Sequence, residues 1–226
     1  MSILRPNRLW LASLSLTLGA CHFSTQQHIA GSGHGATESR SMAPFSRVSL
    51  SGSFDVEVRA GTGAESDVVI DADDNLLSYI ETSVENDTLT VRVQRGFRVS
   101  PRPRLLIQTQ SLTRVGLAGS SDVVASGVTG ESFEIDIAGS GSVRAQGEVN
   151  SVSIEIAGSG DVRTVGLTAR EASVSIAGSG DVELTSTESL EVHIAGSGDV
   201  RYSGNPRVSQ RVAGSGNIEQ LPSGDI

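Results

Sequence analysis

The stretch Ile156-Ala157-Gly158-Ser159-Gly160-Asp161-Val162 decides the fold of this chain, because near copies of it recur through the second half of the sequence. The other copies begin at residues 117, 137, 176, 194 and 212 and read LAGSSDV, IAGSGSV, IAGSGDV, IAGSGDV and VAGSGNI. By subtraction, the first glycines of successive copies are 20, 19, 20, 18 and 18 residues apart. A period near twenty with a fixed turn signature predicts a solenoid in which each repeat forms one layer.

Most repeats open with apolar residues at every second position, which is the pattern of a strand with one buried face. Val152, Ile154 and Ile156, with Ser153 and Glu155 between them, are one example. The Ala-Gly-Ser-Gly that follows permits a positive φ and ends the strand, and the next valine begins a second short strand. The sequence therefore predicts an all-β fold, a β-solenoid with about six glycine-rich coils.

The last copy has the features of an end coil. Gln210 stands where the preceding copies have Val or Ile, and Asn217 stands where most of them have Asp. A single coil buries too little apolar surface to offset its loss of conformational entropy, so coils must stack and the two ends need caps.

The first twenty residues predict a signal peptide. Arg5 and Arg8 precede an apolar run from Leu9 to Leu18, and this run is too short to span a bilayer. The run ends in Leu-Gly-Ala-Cys, which resembles the bacterial lipoprotein signal, in which a cysteine after small residues becomes the lipidated first residue of the mature protein.

Cys21 is the only cysteine of the chain, so an internal disulfide is impossible, and we expect Cys21 to accept the acyl chains that hold the protein to a membrane. The alternative is an ordinary cleaved signal in which Cys21 is incidental. His22 follows Cys21 where retention signals have Asp, which by resemblance to Gram-negative lipoproteins favours the outer membrane.

Residues 21–43 predict a flexible tether, because they are rich in Ser, Gly, Gln, Thr and His and lack periodicity. His22, His28 and His34 could form a loose metal site, but their spacing matches no preformed ligand set, which favours a solvated linker.

Residues 44–221 predict one head domain, with a β-rich N-terminal cap over 44–110 and the repeats over 111–221. In the cap, strands are expected around a glycine turn at Gly52, over 68–70, 89–93 and 105–107, and Asp73 is expected to begin a short capped helix. The cap is too short to form a second core of its own.

The order of motifs in this region is similar to that of a known family. A strand reading FDVEV at Phe54–Val58 is followed by VIDADDNLL at Val69–Leu77, by a TLTV strand at Thr88–Val91, and by the glycine repeats. Over residues 46–218 this resembles the bacterial auto-transporter adhesin head domain, also called the GIN-type head domain. The resemblance implies a right-handed β-helical body, exported and often lipid-anchored, in a family without an established biochemical activity.

Composition excludes several classes of function. The chain has 226 residues and a formal charge of −9; without residues 1–20, fifteen Arg stand against 26 acidic residues, giving −11. An acidic surface argues against a nucleic-acid partner. Every basic residue is Arg, which excludes a P-loop lysine or a Schiff-base lysine. The scarcity of aromatic residues weakens recognition of sugars or bases by stacking.

One basic segment stands out against this acidic background. It contains two prolines and five arginines: Arg92, Arg95, Arg98, Arg102 and Arg104. The functional interpretation is a docking patch for an anionic polymer such as lipopolysaccharide. The structural interpretation, which we favour, is ion pairing within the chain to acidic neighbours such as Asp71 and Glu81.

The repeat also predicts a row of aspartates on the outside of the solenoid. The row comprises Asp122, Asp161, Asp181 and Asp199, with Ser142 and Asn217 in the equivalent position of other coils. Carboxylates about 4.8 Å apart repel by about 0.9 kcal/mol in water, which one charge-assisted hydrogen bond to a turn N–H can offset. Capping of the turns is therefore favoured over a calcium site, and no cofactor is expected.

No catalytic constellation emerges from the sequence. His193 lies between two inward residues and should face solvent, and no Gly-x-Ser-x-Gly elbow occurs. Residues resembling the catalytic clusters of β-helical polysaccharide enzymes follow the repeat, whereas a catalytic cluster would interrupt it. These residues are Asp161, Arg163, Asp181, Asp199 and Arg201.

The sequence thus predicts an exported outer-membrane lipoprotein of the cell envelope that acts as a non-catalytic surface-binding or structural module. Its expected partners are the membrane, through the lipid, and an envelope glycan or protein. The alternative is a polysaccharide-modifying β-helix enzyme, and a third hypothesis is a partner protein of the envelope stress response.

Overall fold

The structure is a computed structural model that describes residues 29–61, 65–94, 97–98 and 102–222. The signal peptide and Cys21 therefore lie outside the described residues, as do His22 and His28 of the tether. Within the described part, the chain contains no helix long and apolar enough to cross a membrane.

The prediction of an all-β solenoid is confirmed. In chain order the strands are β1 Ile29–Ala30, β2 Gly35–Met42, β3 Arg47–Gly52, β4 Asp55–Ala60, β5 Ser66–Asp73, β6 Ile80–Glu85, β7 Thr88–Val93, β8 Phe97–Arg98, β9 Arg104–Thr109, β10 Arg114–Gly119, β11 Asp122–Gly139, β12 Ser142–Gly158, β13 Asp161–Gly178, β14 Val182–Gly196, β15 Val200–Ser203, β16 Arg207–Gly214 and β17 Ile218–Gln220. One short 3-10 turn, Leu77–Tyr79, precedes β6.

Identical positions of successive repeats stack directly over one another in parallel strands. Ile137 of β11 pairs with Ile156 of β12, which pairs with Ile176 of β13, which in turn pairs with Ile194 of β14. All four side chains are at most 2% exposed. Burial against the coils above and below supplies the apolar contact that a single coil lacks, so the alternating pattern becomes a continuous core column.

The solenoid has about five turns and not the six that the sequence predicted. The difference arises at the C-terminal end, where the last copy contributes β16 and the three-residue β17. All eight residues of β16 are exposed, because β16 pairs with β14 and no described strand lies on its other side.

The N-terminal end is closed by antiparallel strands. Strand β2 pairs with β5, β5 pairs with β9, and β6 pairs with β7. The predicted flexible tether is thus corrected for residues 35–42, which form β2. The sequence shows no apolar alternation here because three of the four half-buried positions of GATESRSM hold Ala36, Glu38 and Arg40, and only Met42 is a large apolar residue.

Arg40 of β2 joins the two antiparallel parts of this end. Its guanidinium donates hydrogen bonds to the carbonyl oxygens of Ile80, at 2.7 Å, and Leu77, at 3.2 Å. It also donates to Thr82 Oγ1, at 3.1 Å, and to Glu38, at 2.9 Å. With its side chain only 17% exposed, Arg40 saturates backbone carbonyls that would otherwise lose water without a replacement donor.

The predicted capped helix at Asp73 is replaced by the 3-10 turn, whose N-cap residue, Leu76, makes no side-chain capping hydrogen bond. The acidic block instead binds the incoming N-terminal segment. Ser32 Oγ donates to Asp74 at 2.5 Å, the Gly33 N–H donates to Asp73 at 3.1 Å, and Asn75 Nδ2 donates to the Ala30 carbonyl at 2.9 Å. These side chains therefore bind residues 30–33 to the cap.

Candidate functional site

The predicted row of aspartates forms a hydrogen-bonded ladder along one corner of the solenoid. Asp161 Oδ1 accepts from the Asp181 N–H at 3.2 Å. Asp181 Oδ1 accepts from the Asp199 N–H at 2.9 Å, and Asp199 Oδ1 accepts from the Asn217 N–H at 2.8 Å. We call this set, together with Asp122 and Ser142, the aspartate ladder. The carboxylates of Asp161, Asp181 and Asp199 therefore each accept a turn N–H from the next coil.

The first step of the ladder differs, because a serine replaces aspartate in the second coil. Ser142 Oγ donates to Asp122 Oδ1 at 2.7 Å, so the serine supplies a donor to the carboxylate beneath it. A neutral residue in this position costs no contact, and Asn217 at the other end needs only its backbone N–H. The contacts therefore explain why Ser and Asn can replace Asp at positions 142 and 217.

The ladder geometry bears directly on the calcium hypothesis. One oxygen of Asp161, Asp181 and Asp199 already accepts a backbone hydrogen bond. Over the residues that the structure describes, no group of three or more His, Cys, Asp or Glu side chains is placed to hold a metal ion. Calcium takes six to eight oxygen ligands, and a single-file row presents few of them to one point.

The five arginines of the basic segment do not form one free patch. Arg92 of β7 pairs with Glu81 at 2.5 Å, one of the acidic neighbours expected from the sequence. Arg102 pairs with Asp122 at 2.8 Å and with Asp55 at 3.6 Å. Arg104 lies opposite Asp55 and Asp71 in strand register.

Of the two remaining arginines, Arg95 lies outside the described residues, and Arg98 is described only as part of β8. Arg102 also donates to the Ser120 carbonyl at 2.9 Å. The basic segment and the first residue of the aspartate ladder thus meet in one ion pair. Sequence reasoning missed this pairing because Arg102 and Asp122 are twenty residues apart, and Arg102 lies in the segment before β9, outside the repeats.

The residues suggested for a polysaccharide enzyme are engaged in structural contacts. Arg163 and Arg201 both point to Glu183, at 3.8 and 2.6 Å, across neighbouring coils. His193 pairs with Glu191 at 3.0 Å, and its side chain is 41% exposed on the outer wall, as the strand pattern predicted. An exposed histidine paired with a carboxylate two residues away is not placed beside a candidate nucleophile in any contact that the structure gives.

Three carboxyl groups of the N-terminal end have a lowered pKa. A hydrogen bond from Arg40 lowers the pKa of Glu38, and one from Ser32, helped by the Asn75 N–H, lowers the pKa of Asp74. Hydrogen bonds from Gln94 and then Arg92 lower the pKa of Glu81. All three groups are held in the charged form by donors that fasten this end together, which is a structural use of the charge.

A shallow groove on the outer wall is the feature that the sequence did not single out. It crosses strands β3, β10, β11, β12 and β13 and encloses about 560 Å³. Its floor contains a column of small side chains: Ala118, Ala138, Ala157 and Ala177. Polar and charged side chains line it further, among them Arg47, Ser49, Asp136 and Glu155. The signal available in the sequence was the Ala that precedes Gly-Ser in every copy of the motif. Because its side chain is short, the stacked alanines form a depression along the outer wall.

The family described as "Putative auto-transporter adhesin, head GIN domain" matches residues 44–206. The chain belongs to this family. The family resemblance noted from the sequence is thereby confirmed. The match spans the antiparallel cap and most of the coils, up to β15.

Solved structures of three other bacterial proteins share the fold. A "putative adhesin" from Bacteroides fragilis has a TM-score of 0.70 and 21% identity, covering 85% of this chain and 100% of its own. A "putative lipid binding protein" from Parabacteroides distasonis has a TM-score of 0.55 and 20% identity, covering 87% and 100%. A "putative adhesin" from Parabacteroides merdae has a TM-score of 0.52 and 19% identity, covering 86% and 99%.

At these identities the likeness concerns the fold alone. A comparison with proteins of curated function found no match to this chain.

Proposed function

We propose that this GIN-domain protein is a non-catalytic, adhesin-like binding module of the bacterial cell envelope, held to the membrane by lipid on Cys21. The observation that carries the proposal is the groove on the outer wall, which is long, open and built from repeated positions of five strands. A site of this shape suits an extended polymer, because equivalent contacts recur from coil to coil. The adhesin names of the family and of the similar structures support the same class.

The partner that fits this groove is an envelope glycan. The column of alanines has short side chains that leave room for a ligand, and Glu155 can accept hydrogen bonds from sugar hydroxyls. Asp136 pairs with Arg114 through Oδ2, at 2.7 Å, and can accept through its other oxygen. Arg92 and Arg102 carry ion pairs within the chain, which lowers the weight of the basic segment as a docking patch for an anionic polymer. We therefore place the contact on the groove and expect weak dependence of binding on salt.

An array of bacterial and host envelope glycans, probed at two salt concentrations, tests the proposal. The probe is the chain from residue 21 onward carrying Cys21→Ser. Ala157→Arg should block the groove, because residue 157 is exposed within it. Ala195→Arg is the matched control, since Ala195 is equally exposed in the same register column but does not line the groove.

A glycan signal lost in Ala157→Arg and kept in Ala195→Arg supports the groove as a binding site. A signal that needs low salt and disappears when Arg92 and Arg102 are replaced would move the site to the basic segment. Silence of the whole array would overturn the glycan proposal and leave a structural or protein-binding role.

The lipid anchor is tested separately by labelling cells with a fatty-acid analogue. The wild-type protein should take up label and fractionate with the outer membrane. Cys21→Ser should lose the label, because the thiol is the acyl acceptor. Release of an unlabelled wild-type protein in soluble form would instead support an ordinary cleaved signal.

A further inference from the structure

We infer that the C-terminal edge of the solenoid is a docking surface for a second copy of the same chain. We define this C-terminal edge by Val208, Gln210 and Val212 of β16. Among the described residues, the large hydrophobic side chains that are exposed are Val124, Val208 and Val212, at 42%, 39% and 39%. Two of these three therefore lie on one eight-residue strand.

The exposed valines of the C-terminal edge continue the columns of the hydrophobic core, but no described coil covers them. Val208 and Val212 pair in register with Leu190 and Ile194 of β14. Leu190 and Ile194, in the coil beneath, are only 1% and 2% exposed, because β16 covers them. The valines of β16 have the same inward orientation but nothing above them in the described structure, so apolar area that belongs to the core column faces water.

Among the residues that the structure describes, no strand pairs with the outer side of β16, so the backbone groups on that side have no ladder partner. The Ser215 N–H donates to the Gly196 carbonyl at 2.9 Å, which fixes the phase of the parallel ladder between β14 and β16. Because backbone groups alternate between the two sides of a strand, the N–H and C=O groups of Val208, Gln210 and Val212 point to the free side. A row of unpaired donors and acceptors beside exposed apolar side chains is a template for another strand.

The two ends of the molecule differ in this respect. At the N-terminal end, antiparallel strands replace the parallel coil, and Arg40 ties β2 to β6. Such an end does not present the geometry of a coil edge. Head-to-tail stacking would require the N-terminal end of a second copy to offer a parallel strand edge. The C-terminal edge therefore pairs better with the C-terminal edge of the second copy than with its N-terminal end.

Strand β16 is self-complementary when paired with itself in antiparallel. With Gln210 opposite Gln210 of the second copy, Val208 lies opposite Val212 and Val212 opposite Val208. Arg211 then lies opposite Ser209, and no arginine is directly opposite another, so the register avoids like-charge pairs. Residues directly opposite each other in an antiparallel pair point to the same side of the sheet, so all the valines remain inward and the two cores join.

Pairing through Gln210 also satisfies the free backbone groups. Each of these residue pairs exchanges two N–H···O=C bonds, since all of their backbone groups point across the edge. The interface is isologous, with a two-fold axis between the two Gln210 residues, and it closes after two copies. The inferred assembly is therefore an end-to-end dimer with one continuous parallel-antiparallel-parallel sheet.

Cysteine cross-linking at the axis tests the register. The chain from residue 21 carrying Cys21→Ser contains no other cysteine, so Gln210→Cys introduces a single thiol. A hydrogen-bonded antiparallel pair has Cα atoms about 5.5 Å apart, which is within the range of a disulfide. The matched control is Val124→Cys, a position that is also exposed but lies on the side wall.

We expect mild oxidation to convert Gln210→Cys to a covalent dimer at least about tenfold faster than Val124→Cys, and sedimentation to show a dimer of the uncross-linked protein. Val208→Asp with Val212→Asp should weaken association by about tenfold or more, because the register sets the new carboxylates opposite each other. Circular dichroism of the variants checks that the solenoid remains folded.

A protein that stays monomeric at all concentrations, with equal cross-linking of the two cysteine variants, overturns the inference. So does a dimer whose stability is unchanged by Val208→Asp with Val212→Asp, since that dimer would use another face. If residues 223–226 or another molecule covered the edge, the protein would stay monomeric and the two cysteine variants would cross-link equally.

The dimer has a consequence that rests on the proposed lipid anchor. Pairing at the C-terminal edges places the N-terminal ends of the two copies at opposite ends of the assembly, so anchored copies would pair across two facing membranes. Coupling of the chain through Cys21 to maleimide lipid vesicles tests this: the wild type should cluster vesicles, and Val208→Asp with Val212→Asp should not. Dimers in solution without clustering would overturn only the facing-membrane arrangement.

Discussion

The carboxylate of Asp181 accepts a hydrogen bond from the backbone N–H of Asp199, 2.9 Å away in the next coil. The aspartate ladder thus joins neighbouring layers of the solenoid, and its charge serves packing. Asp181→Ala should lower the free energy of unfolding by about 1 kcal/mol, since a partly exposed, charge-assisted bond is lost. Denaturant unfolding measures the change.

Asp181→Asn is the matched control for this prediction, because the amide oxygen can accept the same N–H and Asn already occupies position 217. We expect it to retain most of the stability that Asp181→Ala loses. Equal losses in both variants would contradict the ladder and would indicate that the negative charge itself is needed.

The ladder also predicts indifference to calcium. Because one oxygen of each of three successive aspartates already binds backbone, removal of divalent ions should not change the melting temperature of the folded chain. The measurement is thermal unfolding in EDTA and in added calcium. A calcium-dependent rise that disappears in Asp161→Asn with Asp181→Asn would establish the ion site that this geometry disfavours.

Glycine in the turn is required by close approach of the coils as well as by backbone conformation. At Gly178, with φ +142°, a Cβ would lie 2.0 Å from the Gly158 carbonyl oxygen. Gly130 has nearly the same φ, +140°, but nothing lies within 4 Å of its Cβ position. Gly130→Ala therefore measures the backbone strain alone, which is on the order of 1–3 kcal/mol.

Gly178→Ala adds to this strain a clash that only separation of two coils can relieve. We expect it to destabilise the protein by clearly more than Gly130→Ala, or to prevent folding in cells, with soluble yield as the measurement in that case. Equal effects of the two substitutions would show that the turn tolerates a methyl group and that φ alone selects glycine.

The repeat is the part of this fold that the sequence predicts well, and the reason is physical. Ile156 and Ile176 are stacked because a period near twenty and a period of two both place them inward, so local pattern and tertiary contact agree. The N-terminal end follows no such rule. Strand β2 has no apolar alternation, and its position is set by the free edge of β5, which only the assembled cap presents.

The candidate site shows the same division. The alignment of Asp161 with Asp181 follows from the repeat, but the donor that each carboxylate binds depends on the offset between coils. The ion pair of Arg102 with Asp122 joins one residue outside the repeats to one inside them, so no periodicity could indicate it. The groove is a property of the assembled wall: the Ala before each Gly-Ser recurs in the sequence, but only stacking of the coils turns these residues into a continuous column.

Arg40 should be the charged residue that matters most to the N-terminal end. Arg40→Ala removes three donors to Ile80, Leu77 and Thr82 and leaves two carbonyls poorly hydrated, so we expect a loss of about 2–3 kcal/mol. Arg59→Ala is the matched control, because its pair with Glu57 is about half exposed on both sides and should contribute little. Both are measured by denaturant unfolding, and comparable losses would refute a special role for Arg40.

Acid should release the segment that Asp74 holds before it unfolds the coils. Ser32 and the Asn75 N–H bind the charged form of Asp74 and hold its pKa below the ordinary 3.8. A group with a depressed folded-state pKa contributes stability above the unfolded value, and this contribution is lost as the pH falls through the folded pKa. The window therefore opens near pH 4 and extends below it.

Amide NMR during acid titration measures this release directly. The Ser32 resonance should move with a midpoint below 3.8, while amides of the core strands, such as that of Ile156, should stay unchanged over the same range. Asp74→Asn should move residues 32–33 toward the acid-state shifts already at neutral pH, because the amide is a weaker acceptor for Ser32 Oγ. Simultaneous loss of the core and segment signals would mean that the acidic block supports the whole solenoid and not only the incoming chain.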